Sequence, residues 1–468
     1  SDQREGGGRQ HNGPREKGSG FGVQGSEGRS QESGVRRQKG EGSNQHFTFL
    51  QRSSIPSLRS PDPEIDNEQP GNSTIGANPY TTTYLPVFYL PFIGRSWAHI
   101  SYSLGLHQRI KEYNNCEAIF TTWLYPDGVA AARLAESSGV PCWVMVQGSD
   151  TFHLRNRHRR KAISAACRHV AGVVCVGNNL AERMIAAGID SAKVHVVPNG
   201  VDGEMFHYRA RDEARRQLSV ISDRLSVRYH AAGLSKIVLF VGNLVPVKGP
   251  DRAIRAFAML IKEVKGKSEK CKAQNNAVNI EETDVSSENT LYFAPFTFHP
   301  PLLLMIGDGP MRTELGRMVS ELGIAEHVRF LGSRPQAEVA LLMNAADCLV
   351  LASREEGMPN VIIESLVSGL PVVATTVGEV PRMLQDAGEC VVVEGGKWKV
   401  ESGRCKGKEE QETRVVEELA AGMERVLSLT VDRQAMAARY AGKYSWNQMA
   451  GAIVEMMGNS GMRADGGG

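Results

Sequence analysis

Short apolar runs alternate with helix-patterned segments twice along this chain, and that alternation restricts its fold more than any other feature. In the first block, residues 116–123, 141–146, 172–176 and 193–197 read as strands. Segments 127–137, 155–168 and 178–187 read as the helices between them, with Asp127 capping the first. A polar helical stretch, about 210–230, separates this block from a second one. There the expected strands are 236–241, 302–306, 327–331, 348–351 and 371–375. The expected helices are 251–264, 311–322, 337–345 and 359–367, and a last helical region runs from about 413 to 457. Strand–helix alternation of this kind makes a parallel sheet covered by helices on both faces. Two such blocks predict an α/β protein of two Rossmann-like domains with a cleft between them.

The chain has 468 residues, enough for two or three domains. The expected division is a low-complexity disordered tail at 1–78, an N-terminal domain at 79–205, a linker and helix at 206–235, a C-terminal domain at 236–440, and a crossing helix with its tail at 441–468. Residues 1–78 are mostly Gly, Ser, Gln, Arg and Glu, too few of them apolar to offset chain entropy. Two polar islands, 265–299 and 395–411, read as surface loops inserted in the second domain. A net charge of +2 gives no global electrostatic case for nucleic acid. No apolar run approaches the ~20 residues of a spanning helix, and 84–93 is interrupted by Pro86 and Pro91. The start of the chain does not read as a signal peptide. The expected location is the cytoplasm, with membrane contact limited to a peripheral one at the inner face. Eight cysteines (Cys116, Cys142, Cys167, Cys175, Cys271, Cys348, Cys390 and Cys405) form no CxxC pair and read as reduced thiols without zinc-ligand spacing.

The strongest local signal is the run Glu355-Glu356-Gly357-Met358-Pro359-Asn360-Val361-Ile362-Ile363-Glu364, which follows an apolar strand and opens a helix. Pro359 suits the first helical position and Gly357 a tight turn. The free N–H groups at such a helix start attract anions. Glu356 falls in the loop at the strand's C-terminal end, where open α/β sheets bind ligands. Glu364, about a turn and a half into the helix, is a carboxylate able to accept hydrogen bonds from a vicinal diol such as a ribose.

Glu356 and Glu364 have the spacing of the E-x7-E motif of family 4 GT-B glycosyltransferases, and the resemblance extends to both sides. The run 240–249, Phe-Val-Gly-Asn-Leu-Val-Pro-Val-Lys-Gly, resembles the family's donor-phosphate loop. Ile306-Gly307-Asp308-Gly309-Pro310 is similar to its glycine-rich turn, and Val197-Pro198-Asn199-Gly200-Val201-Asp202 to its interdomain segment. Leu124-Tyr125-Pro126-Asp127-Gly128 and Gln147-Gly148-Ser149-Asp150 resemble landmarks of its N-terminal domain, and Ser445-Trp446 the start of its crossing helix. The resemblance spans about 85–460 and is strongest to bacterial teichuronic-acid or exopolysaccharide-type transferases.

That resemblance implies the GT-B fold and a retaining, metal-independent transfer of a hexose from a UDP- or GDP-sugar to a polysaccharide, glycan or lipid-linked acceptor, with no cofactor. It implies catalytic positions at Glu356, Lys248 and Gln147. It implies donor contacts at Asn243, Lys248, Gly307, Gly309, Gly357, Met358, Pro359, Asn360 and Glu364. Lys248 would neutralise the diphosphate, Glu364 would hold the ribose and Glu356 would orient the sugar.

Three positions depart from the family pattern. Asn243 stands where an arginine is usual, which leaves more of the diphosphate charge to Lys248. Gln147 stands where a histidine is common, and glutamine cannot titrate. The family's first strand, glycine-rich loop, helix and second strand are not found, and the matching sequence starts near 84–89, so the N-terminal domain is expected to lack its first βαβ unit. That lack motivates an alternative, a catalytically degenerate relative binding nucleotide sugars or glycans as a partner subunit. Arg155, Arg157, Arg159, Arg160 and Lys161 read mainly as a solvated helix face, and anionic lipid is the other reading. His153, His158 and His169 have no ligand spacing, and Trp123 and Trp143 are expected in the core.

Overall fold

The structure, a computed structural model, describes residues 48–50, 98–107, 116–221, 236–277, 300–394 and 408–461. Most of the segment read as a tail, and the centres of both polar islands, lie outside the described residues.

The C-terminal sheet is six-stranded: β6 (Ile237–Val241), β7 (Leu302–Ile306), β8 (Val328–Gly332), β9 (Cys348–Leu351), β10 (Val372–Thr375) and β11 (Val391–Val393), all parallel, in the order β11-β10-β9-β6-β7-β8. Side-chain alternation along a strand explains the two apolar layers around it. Ile237, Leu239, Leu304, Ile306, Leu349 and Leu351 point into one buried cluster. Val238, Phe240, Leu303, Met305, Cys348 and Val350 point into another on the opposite face. With both faces covered, the strands read as continuous apolar runs. The order reverses between β6 and β9, which makes their C-terminal ends the topological switch point of this domain.

At the other end of the same two strands a charged network anchors the connecting helix Arg211–Ile221. Asp347, just before β9, accepts from Arg211 Nη1 at 2.5 Å, Arg215 Nη2 at 2.9 Å and the Ile237 amide at 2.9 Å. Arg433 closes the C-terminal end of helix Gln336–Ala345 by donating to the carbonyls of Met343, Asn344 and Ala346, and it also reaches the Gly369 carbonyl.

In the N-terminal domain β2 (Ala118–Thr121), β3 (Cys142–Val146), β4 (Gly172–Cys175) and β5 (Val194–Val196) form a parallel sheet in chain order. β1 (Thr48–Leu50) adds antiparallel to β2 at its edge, so part of the stretch expected to be a disordered tail is a strand. Trp143 is buried in the core as expected. Trp123 is 41% exposed, because β2 ends at Thr121 and leaves Trp123 in the following turn. Nor does Asp127 cap a helix: it is buried in the turn Leu124–Gly128, and helix Val129–Ser138 begins after it without a side-chain cap. The basic helix expected at 155–168 forms as Arg157–Cys167, preceded by a short helix that the sequence reading did not expect. Thr151–Leu154 and Arg157–Cys167 are separate, and the Asn156 side chain caps the second by accepting from the amides of His158 and Arg159.

Both polar islands begin or end as helix rather than loop. Helix Pro250–Ala277 runs into the first, and helix Lys408–Ser428 starts within the second. The last region divides into three helices, Lys408–Ser428, Arg433–Ala441 and Trp446–Gly461. The third crosses back: Met449, Ala452, Ile453, Met456 and Met457 pack on the N-terminal core. Its start lies beside the outgoing crossover, where the Val201 amide donates to the Tyr444 carbonyl at 3.0 Å. Gly200 is needed there, because a Cβ would lie 2.7 Å from the Ser445 carbonyl oxygen. Among the described residues no helix is long and apolar enough to cross a membrane.

Candidate active site

The loops leaving β6 and β9 meet at the switch point. After β6 the chain makes the short turn Pro246–Lys248 and reverses through Gly249, whose φ of 64° favours glycine. A Cβ on Gly249 would lie 2.0 Å from the Ala352 carbonyl oxygen, so only glycine lets the two loops touch. Arg354 joins them further: its amide donates to the Val247 carbonyl at 2.8 Å, Nη1 donates to the Pro246 carbonyl at 2.7 Å, and the guanidinium pairs with both oxygens of Asp251.

Lys248 and Glu356, chosen separately from sequence, are brought together here. Lys248 Nζ donates to Glu356 Oε1 at 2.7 Å and Oε2 at 2.9 Å, and Ser353 Oγ donates to Oε1 at 2.7 Å. The carboxylate is nearly buried, whereas a third of the lysine side chain is open to solvent. A cation held on one side and open on the other is placed to take a second anion. Glu364 lies on the fifth residue of helix Asn360–Val367, and its carboxylate has no protein hydrogen-bond partner among the described residues. Burial pushes its pKa up to about 7. Pro359 is the residue before that helix rather than its first.

The glycines have other reasons to be glycine than a close approach to a ligand. Gly307 and Gly309 have φ of 124° and 157°. A Cβ on Gly307 would lie 2.0 Å from the Gly242 carbonyl oxygen, and one on Gly309 would lie 2.6 Å from that of Leu244. They let the loop after β7 pack on the loop after β6, and the Leu244 amide donates to the Asp308 carbonyl at 2.9 Å across that contact. Asn243 is exposed on the same loop. Gly357 makes no positive-φ turn; its Cβ would lie 2.5 Å from the Cα of Gly148 in the opposite domain. Gln147, next to Gly148, is thereby placed across the cleft from Glu356.

Two positions of the motif face the crossover through their side chains. Met358 packs on both domains' cores, and its sulfur accepts from the Asn199 amide at 3.4 Å. Asn360 Oδ1 accepts from Asn199 Nδ2 at 2.7 Å. On the N-terminal side Asp150 is fully buried, accepts from the amides of Leu124 and Gln147, and has its pKa raised to about 7 by burial. Among the described residues no group of three or more His, Cys, Asp or Glu side chains is arranged to hold a metal ion. Sequence reading missed Ser353 and Arg354. Their only signal was their place beside Glu356 in a loop after a buried strand.

Two family models match the chain: "Glycosyltransferase Family 4" over residues 58–204 and "Glycosyl transferases group 1" over residues 299–402. The chain belongs with the family 4, group 1 glycosyltransferases. The first match begins at residue 58, inside the stretch expected to be a tail and well before residue 84. The second begins at the edge of β7, past the polar island that divides this domain. D-inositol 3-phosphate glycosyltransferase of Actinosynnema mirum is 31% identical over 212 residues, covering 44% of this chain and 41% of that protein. The enzyme of the same name from Mycobacterium marinum is 25% identical over 276 residues, covering 57% and 45%. The chain thus spans less than half the length of these curated relatives. Among solved structures, Anabaena HepE in complex with UDP aligns with a TM-score of 0.56 at 16% identity, covering 76% of this chain and 82% of that one. Sucrose-phosphate synthase from Thermosynechococcus elongatus aligns at 0.57 and 17% identity, covering 83% and 85%. At these identities the likeness establishes the two-domain GT-B fold.

Proposed function

We propose that this protein transfers a hexose from a nucleoside-diphosphate sugar to a hydroxyl of a polysaccharide or glycolipid acceptor, with retention of configuration. The observation that carries the reading is the Lys248–Glu356 pair at the switch point, with the buried Glu364 carboxylate on the next helix. In this reading the diphosphate is the anion that Lys248 takes, helped by free amides at the start of helix Asn360–Val367. Glu364 accepts from the ribose hydroxyls. Glu356, held by Ser353 and released in part by Lys248, accepts from a hydroxyl of the sugar. Gln147 offers its amide from across the cleft, a donor and an acceptor without a titratable proton.

The bond from the anomeric carbon to the phosphate oxygen breaks, leaving positive charge on the sugar and negative charge on the nucleotide. The acceptor oxygen bonds to the same face of the carbon, and its proton passes to the departing phosphate oxygen. The protein's part is positioning and charge stabilisation. That HepE was solved with UDP, and with UDP and glucose, supports UDP as the first nucleotide to try. Curated relatives named for an inositol phosphate acceptor bring a polar, phosphorylated acceptor within the range to be screened.

Calorimetric titration with UDP and with GDP tests the donor site. Saturable binding of one nucleotide, weakened by Lys248→Ala and by Glu364→Ala, is expected. A folded protein that binds neither overturns the reading and leaves the degenerate-relative alternative.

A further inference from the structure

The faces of the two domains are joined by charged groups that the transfer reaction does not use. Glu355, the residue before Glu356, lies between two arginines of the N-terminal domain: Arg155 Nη2 at 3.2 Å and Arg183 Nη1 at 3.5 Å. On the other side of Gly357, Glu379 reaches into the N-terminal domain. Helix Asn178–Ala186 starts at Gly177, which has no side chain to cap it. The cap comes from the other domain: Glu379 Oε1 accepts from the Asn179 amide at 2.5 Å. Glu379 is almost wholly buried. Arg382 extends the contact, with Nη1 3.4 Å from Glu379 and Nη2 3.5 Å from Glu182.

Between these contacts the backbones of Gly148 and Gly357 touch. The Gly357 carbonyl accepts from the Glu379 amide at 2.9 Å, and a Cβ on Gly378 would lie 2.1 Å from that same carbonyl oxygen. The loop bearing Glu356 is therefore held from both ends by interdomain contacts. A Cβ on Gly177 would lie 2.2 Å from Glu379 Cγ, so glycine at that position is what admits the carboxylate.

We infer that Glu355 and Glu379 are positioning residues: they clasp the N-terminal domain and so set the Glu356–Gly357 loop against Gln147–Gly148. The inference rests on the donor-site reading for its kinetic part and on geometry alone for its conformational part. Glu379 acts as a helix cap supplied in trans between domains, satisfying an amide that the Gly177 start leaves open. Glu355 acts as a charged catch, and being partly exposed it contributes modestly by itself.

Spin labels introduced as unnatural amino acids at exposed Glu136 and Glu321, one in each domain, report the interdomain distance in the unliganded full chain. The Glu355→Ala/Glu379→Ala variant should show a longer and broader distance distribution. Gly177→Ala, on the opposite domain, should reproduce it by evicting Glu379. Glu379→Gln keeps an oxygen for the Asn179 amide and should retain the original distance. In kinetics, the double variant should lose about ten-fold or more in kcat/KM, while its nucleotide Kd stays within about two-fold. A loss of stability alone would not split the two constants in this way. Unchanged distances in both the double variant and Gly177→Ala overturn the inference. So does a nucleotide Kd that weakens in step with kcat/KM. Should neither nucleotide bind the unsubstituted protein, the donor reading fails, and the distances still decide the clasp.

Discussion

Glu364→Gln should make the protein more stable and bind nucleotide less well, and pH separates the two effects. Burial raises the Glu364 pKa from 4.5 to about 7, with no donor among the described residues compensating the charge. The folded state therefore holds a proton between these values that the unfolded state has released. Stability falls as pH rises through the window from about 4.5 to 7, and the loss is complete above the folded pKa. At about 1.4 kcal/mol per pH unit, the ionised carboxylate costs at most about 3 kcal/mol at pH 8. Glutamine is nearly isosteric and carries no charge. The variant should melt about 6 °C higher at pH 8 and within about 1 °C of the parent near pH 4.5. Paired thermal melts at the two pH values measure this, because every other titrating group, Asp150 included, is common to both proteins. The same substitution removes a charged acceptor for two ribose hydroxyls and should weaken nucleotide binding about ten-fold or more. A melting difference independent of pH would refute the claim that Glu364 is buried as an uncompensated carboxylate. Stabilisation at pH 8 with unchanged nucleotide binding would refute its role toward the ribose.

Lys248→Ala leaves Glu356, among the described residues, with only the Ser353 hydroxyl and removes the cation meant for the diphosphate, so calorimetry should show nucleotide affinity falling at least about ten-fold. Asp347→Ala strands two arginines and the Ile237 amide at the base of β6 and β9, and chemical denaturation should show a loss of about 3 kcal/mol or more. Asp150→Ala leaves the buried amides of Leu124 and Gln147 unmatched and should cost about 2 kcal/mol by the same assay. Gly357→Ala places a methyl group against Gly148 and should lower kcat/KM about ten-fold with nucleotide Kd near that of the parent.

Local chemistry was legible where it depends on a few neighbouring residues. Apolar runs such as 237–241 and 348–351 can be buried on both faces only in a parallel sheet, so two α/β domains followed from periodicity. Glu356 and Glu364 stood out beside a buried strand and on the helix that follows it, and the resemblance to the family's E-x7-E motif and donor-phosphate loop singled them out together with Lys248. Other readings failed where the reason for a residue lies far along the chain. Gly357 looked like a turn glycine, yet a Cβ there is excluded by Gly148 of the other domain, and Cβ atoms on Gly307 and Gly309 are excluded by Gly242 and Leu244. Trp123 looked like core because strand ends are set by pairing partners, which periodicity does not name.

The sequence by itself determined the alternating strands and helices of the two α/β domains, since periodicity and turn chemistry act over a few residues, while the crossing helix and the place of Lys248 came from the resemblance to the family. Only the tertiary structure decided that Lys248 and Glu356 pair, that Glu364 is buried without a hydrogen-bond partner among the described residues, and that Glu355 and Glu379 reach the other domain. The three contacts join chain segments 100 to 200 positions apart, which no local pattern records.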